Sequence, residues 1–110
     1  MEKHHTPGNW STNPKRTDVV ITDRIPENYP GHTGHDDTKF YGGFLIAESI
    51  LNEADAKLMA AAPEMLESLK AARAIFVSQG IGTDHPIVGE QFQKIVTAIH
   101  KAESYEKPLI

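Results

Sequence analysis

The sequence predicts an α+β fold: a small N-terminal antiparallel sheet of two to four strands, followed by a C-terminal helical hairpin. Three observations predict it. The β-branched cluster Val19, Val20, Ile21 lies in a first half rich in Pro, Gly, Asn and Thr. Near Leu51 the apolar period changes from that of a strand to that of a helix. Beyond that point glycine and proline stand where helices stop and start.

Taken in order, residues 9–12 read as a first strand with Trp10 as its anchor, and residues 18–22 as a second. The stretch RIPENYPGHTGHDDTKFYGG follows, too rich in turn formers for regular structure, with a further strand expected around 38–41. Gly42-Gly43 then reads as a hairpin turn, since paired glycines take the φ > 0 conformations of tight turns, and it feeds a strand at 44–48. Gly42 or Gly43 is expected at positive φ. Asn52 is placed to cap a helix over 53–61. Pro63 interrupts the apolar spacing, so a second helix is expected over 63–78, ended by Gly80 and Gly82. Pro86 reads as the first residue of a last helix capped by Asp84. Its apolar residues Ile87, Val88, Phe92, Ile95, Val96 and Ile99 are spaced to pack antiparallel on the helix before.

This is one domain's worth of chain, 1–110, with 1–12 flexible, a β region over 13–51 containing a long loop at 24–39, and helices over 52–103. Such a thin core favours a homo-oligomer, with sheet edges as the natural place of pairing. Composition is that of an ordinary soluble protein, 39% apolar and 24% charged. No apolar run is long enough to span a membrane, and the first residues lack the apolar core of a signal peptide, so a cytoplasmic location in a bacterial host is expected. The absence of cysteine excludes disulfides, thiolate zinc sites and cysteine nucleophiles. The net charge is −4, and the whole acidic excess lies before Ala56. Binding to duplex nucleic acid, which needs many Lys and Arg against phosphates, is disfavoured.

The loop GHTGHDD brings together His32, His35, Asp36 and Asp37, residue types that bind zinc or iron, although a solvated loop is the better account of them. No Ser-His-Asp order, paired-carboxylate spacing or HExxH helix is present, so no enzyme and no cofactor is expected. YGGF matches neither a Walker nor a Rossmann glycine pattern. Arg16 and Arg24 are expected in loops. Were the ligand an anionic nucleotide, Lys70 and Arg73 with the aromatics Tyr41, Phe44 or Phe76 form the natural pocket, through charge-assisted bonds and stacking.

Several stretches carry a resemblance: His5-Thr6-Pro7-Gly8 with Trp10, the segment 52–69, and Ile99, Lys101, Ala102 and Glu103 near the end of the last helix. They resemble small proteins encoded by tailed bacteriophages and prophages, whose pattern runs HTPGxW, then NxxxAKLxAAAPEMLESL, then IxKAE. The His/Asp loop at 31–37 and Asn9, where the family often has a second proline, depart from it. The resemblance implies phage origin and this fold. The layout is similar to that of phage inhibitors of the Thoeris kind, oligomers that sequester cyclic nucleotide signals. Three roles follow as expectations: a non-enzymatic accessory protein sequestering a small nucleotide signal, an anti-CRISPR-like inhibitor or adaptor of a host protein, or a metal-dependent enzyme on His32, His35, Asp36 and Asp37.

Overall fold

The computed structural model describes residues 5–24 and 38–103, apart from the side chain of Lys39. In chain order these residues form β1 (Trp10–Asn13), β2 (Arg16–Thr22), a one-turn helix α1 (Thr38–Tyr41), β3 (Phe44–Ala47), α2 (Glu53–Ala60), α3 (Ala62–Ser78) and α4 (Gly89–Glu103). The fold class is the expected one, an antiparallel sheet followed by helices. The chain falls into two compact units, Glu2–Pro63 and Glu64–Ile110.

In the first unit three strands lie in the order β1-β2-β3, both pairings antiparallel. The β-branched strand β2 takes the centre because Val19, Val20, Ile21 and Thr22 are all buried, which only a strand covered on both faces allows. Ile21 pairs with Ser11 on one side and Leu45 on the other. Val19, Ile21 and Tyr41 form a buried cluster, with Leu45 packed against it. The α2 helix packs on β1 and β2 and contributes Ala56, fully buried. Its N-cap is Asn52, as the sequence predicts, whose Oδ1 accepts from the amides of Ala54 and Asp55 at 2.8 and 3.3 Å.

The segment before β1 folds back onto the end of β2. Thr22, buried in the sheet, donates its hydroxyl to the Pro7 carbonyl at 2.7 Å, and Asp23 accepts from the backbone and side chain of Asn9 at 2.8 and 3.1 Å. The indole of Trp10 donates to the Thr6 carbonyl at 3.0 Å. The turn requires Gly8, whose φ is +100° and whose missing Cβ leaves room for the Thr22 hydroxyl and the Asp23 carboxylate.

In the second unit, α3 ends at Gly80 with φ +72°, where Gly80 N donates to the Val77 carbonyl and Ile81 N to that of Phe76, a Schellman stop. Phe76 stacks on Phe92 with ring centroids 5.3 Å apart, and Lys70 pairs with Glu103, so α3 and α4 run antiparallel. Both contacts agree with the expected hairpin. The cap before α4 is His85, not Asp84: its Nδ1 accepts from the amides of Ile87 and Val88, each at 3.1 Å. Side-chain preference favours an aspartate cap, but Pro86 lacks an N–H, and the imidazole reaches the two donors that follow it.

Candidate functional site

Around the start of β2 and the turn of α1 lies a group of interacting charged and aromatic side chains. Residues 38–41 are not the strand expected. They form one helical turn that closes with Gly42 N donating to the Thr38 carbonyl at 2.8 Å. Gly42 has φ +86°, so the glycine pair does hold the predicted positive φ, but as the stop of a helix rather than the turn of a hairpin. The helical turn is supported by a side chain remote in sequence. Asn13 Nδ2 donates to the Tyr41 carbonyl at 3.0 Å, while Asn13 Oδ1 accepts from Lys15 N in the β1–β2 turn. One side chain therefore satisfies a helix-terminal carbonyl and shapes a hairpin at once. A side chain on Gly43 would crowd Ile21, which keeps this turn close against β2.

Above the turn lies Arg16. It opens β2 rather than sitting in a loop, and its guanidinium lies over the Phe40 ring, 4.4 Å from the centroid, and near the Tyr41 ring at 5.5 Å. Phe40 and Tyr41 meet edge to face at 4.9 Å. Arg16 also donates to both oxygens of Asp18, at 3.3 and 3.4 Å. That hydrogen bonding holds Asp18 below the usual carboxylate range and raises Arg16 in turn, and the Ser49 backbone amide lowers Asp18 further. Ser49 itself takes φ +61° as β3 gives way to α2. The Tyr41 hydroxyl donates to Glu48 at 2.8 Å. The result is a planar cation laid over one ring, beside a second, and flanked by two carboxylates, with Phe40 57% exposed at its rim.

Of the residues the sequence offered for a nucleotide, Tyr41 stands in this cluster, with its ring buried and its hydroxyl on Glu48. Phe44 begins β3, paired to Thr22. Lys70, Arg73 and Phe76 all belong to α3 in the second unit. There Lys70 is held by Glu103, Phe76 by Phe92, and Arg73 is half-buried. The metal candidates His32, His35, Asp36 and Asp37 lie outside the described residues, as does most of the loop at 24–39. Among the described residues no group of His, Asp and Glu is placed to hold a metal ion. Sequence reasoning missed Arg16, Asp18, Phe40 and Glu48. The spacing Arg16-x-Asp18 on one face of a strand was the available signal for the ion pair. Nothing in the sequence placed it against an aromatic turn more than twenty residues away.

No helix among the described residues is long and apolar enough to cross a membrane. No curated protein and no solved structure matches the chain. One family model does, over residues 1–106, and its description is Salmonella phage P22 protein Y8K6. The match covers both units and every described element, and it agrees with the phage origin implied by the motifs. The chain belongs to the family of Salmonella phage P22 protein Y8K6.

Proposed function

We propose that the protein is a non-enzymatic phage accessory protein that works by binding, and that its ligand is a small nucleotide signal of host defence. The observation that carries this reading is Arg16 lying over the Phe40 ring and beside that of Tyr41, with Phe40 exposed. A base stacks on an open aromatic face at little conformational cost, and an adjacent guanidinium can meet a phosphate with paired N–H donors. The phosphate has to displace Asp18 from Arg16 to do so. A ligand with more than one negative charge is therefore favoured over a neutral nucleoside. The test is equilibrium dialysis of the full chain against a panel of cyclic mono- and dinucleotides. Phe40→Ala should weaken binding about tenfold or more, since one stacked base contributes about 1–3 kcal/mol. Wild-type protein that retains none of the panel at millimolar ligand sinks the nucleotide reading.

A second reading, an inhibitor or adaptor of a host protein, is favoured by α2. Leu58 stands on the side of that helix away from buried Ala56, and both it and Leu51 are exposed. An apolar surface on an acidic half-chain suits a protein partner with a basic rim. Here Leu58→Asp abolishes an association that Phe40→Ala leaves intact.

A further inference from the structure

Asp18 is held more firmly than a surface partner of Arg16 needs to be. Its carboxylate accepts from two donors of the Arg16 guanidinium, Nη2 at 3.3 Å and Nε at 3.4 Å, and also from the Ser49 amide. Its own backbone carbonyl accepts from Ile50 N at 3.0 Å. Ser49 presents its amide from φ +61°, a left-handed conformation that a residue other than glycine keeps only where its surroundings over-determine it. Glu48, the other carboxylate of the cluster, is engaged elsewhere, by the Tyr41 hydroxyl at 2.8 Å.

We propose that Asp18 is a built-in competitor, whose carboxylate occupies the anion-binding fork of Arg16 and yields it to a phosphate group of the ligand. The pairing it makes is the one a phosphate would make. Two N–H groups of a guanidinium form a planar fork that meets two oxygens side by side, whether they belong to a carboxylate or a phosphate. Arg16 and Asp18 stand two residues apart on one face of β2, so the competitor is tethered and its effective concentration does not fall when the protein is diluted. It is also displaceable. Both distances exceed the roughly 2.7–2.9 Å of a strong charge-assisted bond, and the two side chains are 30% and 40% exposed, conditions under which an ion pair is weak. The Ser49 amide stays with the displaced carboxylate, so yielding Arg16 does not leave Asp18 without a donor. This inference rests on the reading above in one respect, that Arg16 meets an anion, and its test uses no nucleotide.

Asp18→Asn is the informative variant, since the amide keeps an oxygen for the Ser49 N–H but brings no charge to Arg16. The chain has three arginines, so the Nε–H signal of Arg16 is assigned in a heteronuclear NMR spectrum by its loss in Arg16→Lys. Inorganic pyrophosphate, an anion with no base to stack, is titrated into the full chain while that signal is followed. It should move the Arg16 signal in both wild type and Asp18→Asn, with half-saturation at about fivefold lower concentration in the variant, as loss of a partly exposed ion pair implies. Damage to the fold weakens binding, so a gain is an effect that a merely structural Asp18 cannot produce. The proposal is overturned if Asp18→Asn binds pyrophosphate no more tightly than wild type, or if the Arg16 signal responds in neither protein. The nucleotide reading is decided separately. Tighter pyrophosphate binding by Asp18→Asn, with no nucleotide retained in dialysis, upholds the competitor and removes the nucleotide; nucleotide retained by wild type, with no gain in the variant, does the reverse.

Discussion

The sheet unit and the helical unit are held together by opposite means. In the first, polar side chains tie together backbone segments that are remote in sequence: Thr22 to Pro7, Asn9 to Asp23, Asn13 to Tyr41. In the second, the ties that set helix ends are local. Gly80 closes α3 within its own last turn, and His85 starts the approach to α4 by capturing amides two and three residues on. Among the described residues its long-range ties include the stacked pair Phe76–Phe92 and the ion pair Lys70–Glu103. A unit built on remote hydrogen bonds must close long loops before those bonds stabilise it, whereas local caps form with their helix. Damage to a single polar group should therefore disturb the sheet unit broadly and the helical unit only at one end.

The largest expected effects come from two glycines, one in each unit. Gly8→Ala places a Cβ at φ +100° onto the Thr22 hydroxyl and Asp23 carboxylate, and should cost about 2–3 kcal/mol. Gly89→Ala drives a Cβ into the backbone carbonyl of Thr83, which a side-chain rotation cannot relieve, and should cost about 1–3 kcal/mol. Urea titrations read the two separately. Trp10 is the only tryptophan and reports the sheet unit, while far-ultraviolet dichroism is dominated by the helices. If Gly8→Ala leaves the Trp10 midpoint unmoved, the N-terminal turn does not clamp β2.

The same difference between units explains what the sequence made legible. Helix starts and stops are written in neighbouring residues, so Asn52 as a cap, Pro63 as the break and Gly80 as the stop could all be read directly. The three strands were legible for a similar reason, from β-branched and aromatic runs. The one-turn helix at Thr38–Tyr41 was not, because its closure depends on Asn13, far upstream. Nor was the cluster around Arg16, since no local pattern tells which aromatic a strand-borne guanidinium will meet. His85 shows a third limit. Cap preference ranks Asp above His, and here geometry after a proline outweighed preference.

His85→Ala gives the intermediate effect, confined to one helix end. It removes the acceptor for two amides and should cost about 1 kcal/mol of stability, read as a lower midpoint in far-ultraviolet dichroism with the Trp10 transition little changed. Both donors point at Nδ1, so the cap needs that nitrogen unprotonated. His85→Asn, which keeps an acceptor, should recover most of the loss. Equal loss in the alanine and asparagine variants would mean that the ring supports α4 by packing alone.

The smallest effect is electrostatic and belongs to the sheet unit. The Asn9 amide hydrogen bond holds the Asp23 carboxyl below its ordinary value, with the Asn9 side chain adding to it. A carboxyl depressed in the folded state binds its proton more tightly once the chain unfolds. Its contribution is thus complete above the ordinary aspartate value, about 3.9, and is lost as pH falls through the lower folded value. Asp18, depressed by Arg16, adds a contribution of the same sign, so acid alone cannot assign the effect. Asp23→Asn separates them, since the amide keeps an oxygen for the Asn9 backbone but no longer titrates. Measured on Trp10, the stability difference between wild type and Asp23→Asn should be constant near neutrality and shrink toward zero in strong acid. A difference that stays constant down to the acid limit would mean that the Asn9–Asp23 contact holds the N-terminal turn without any help from charge.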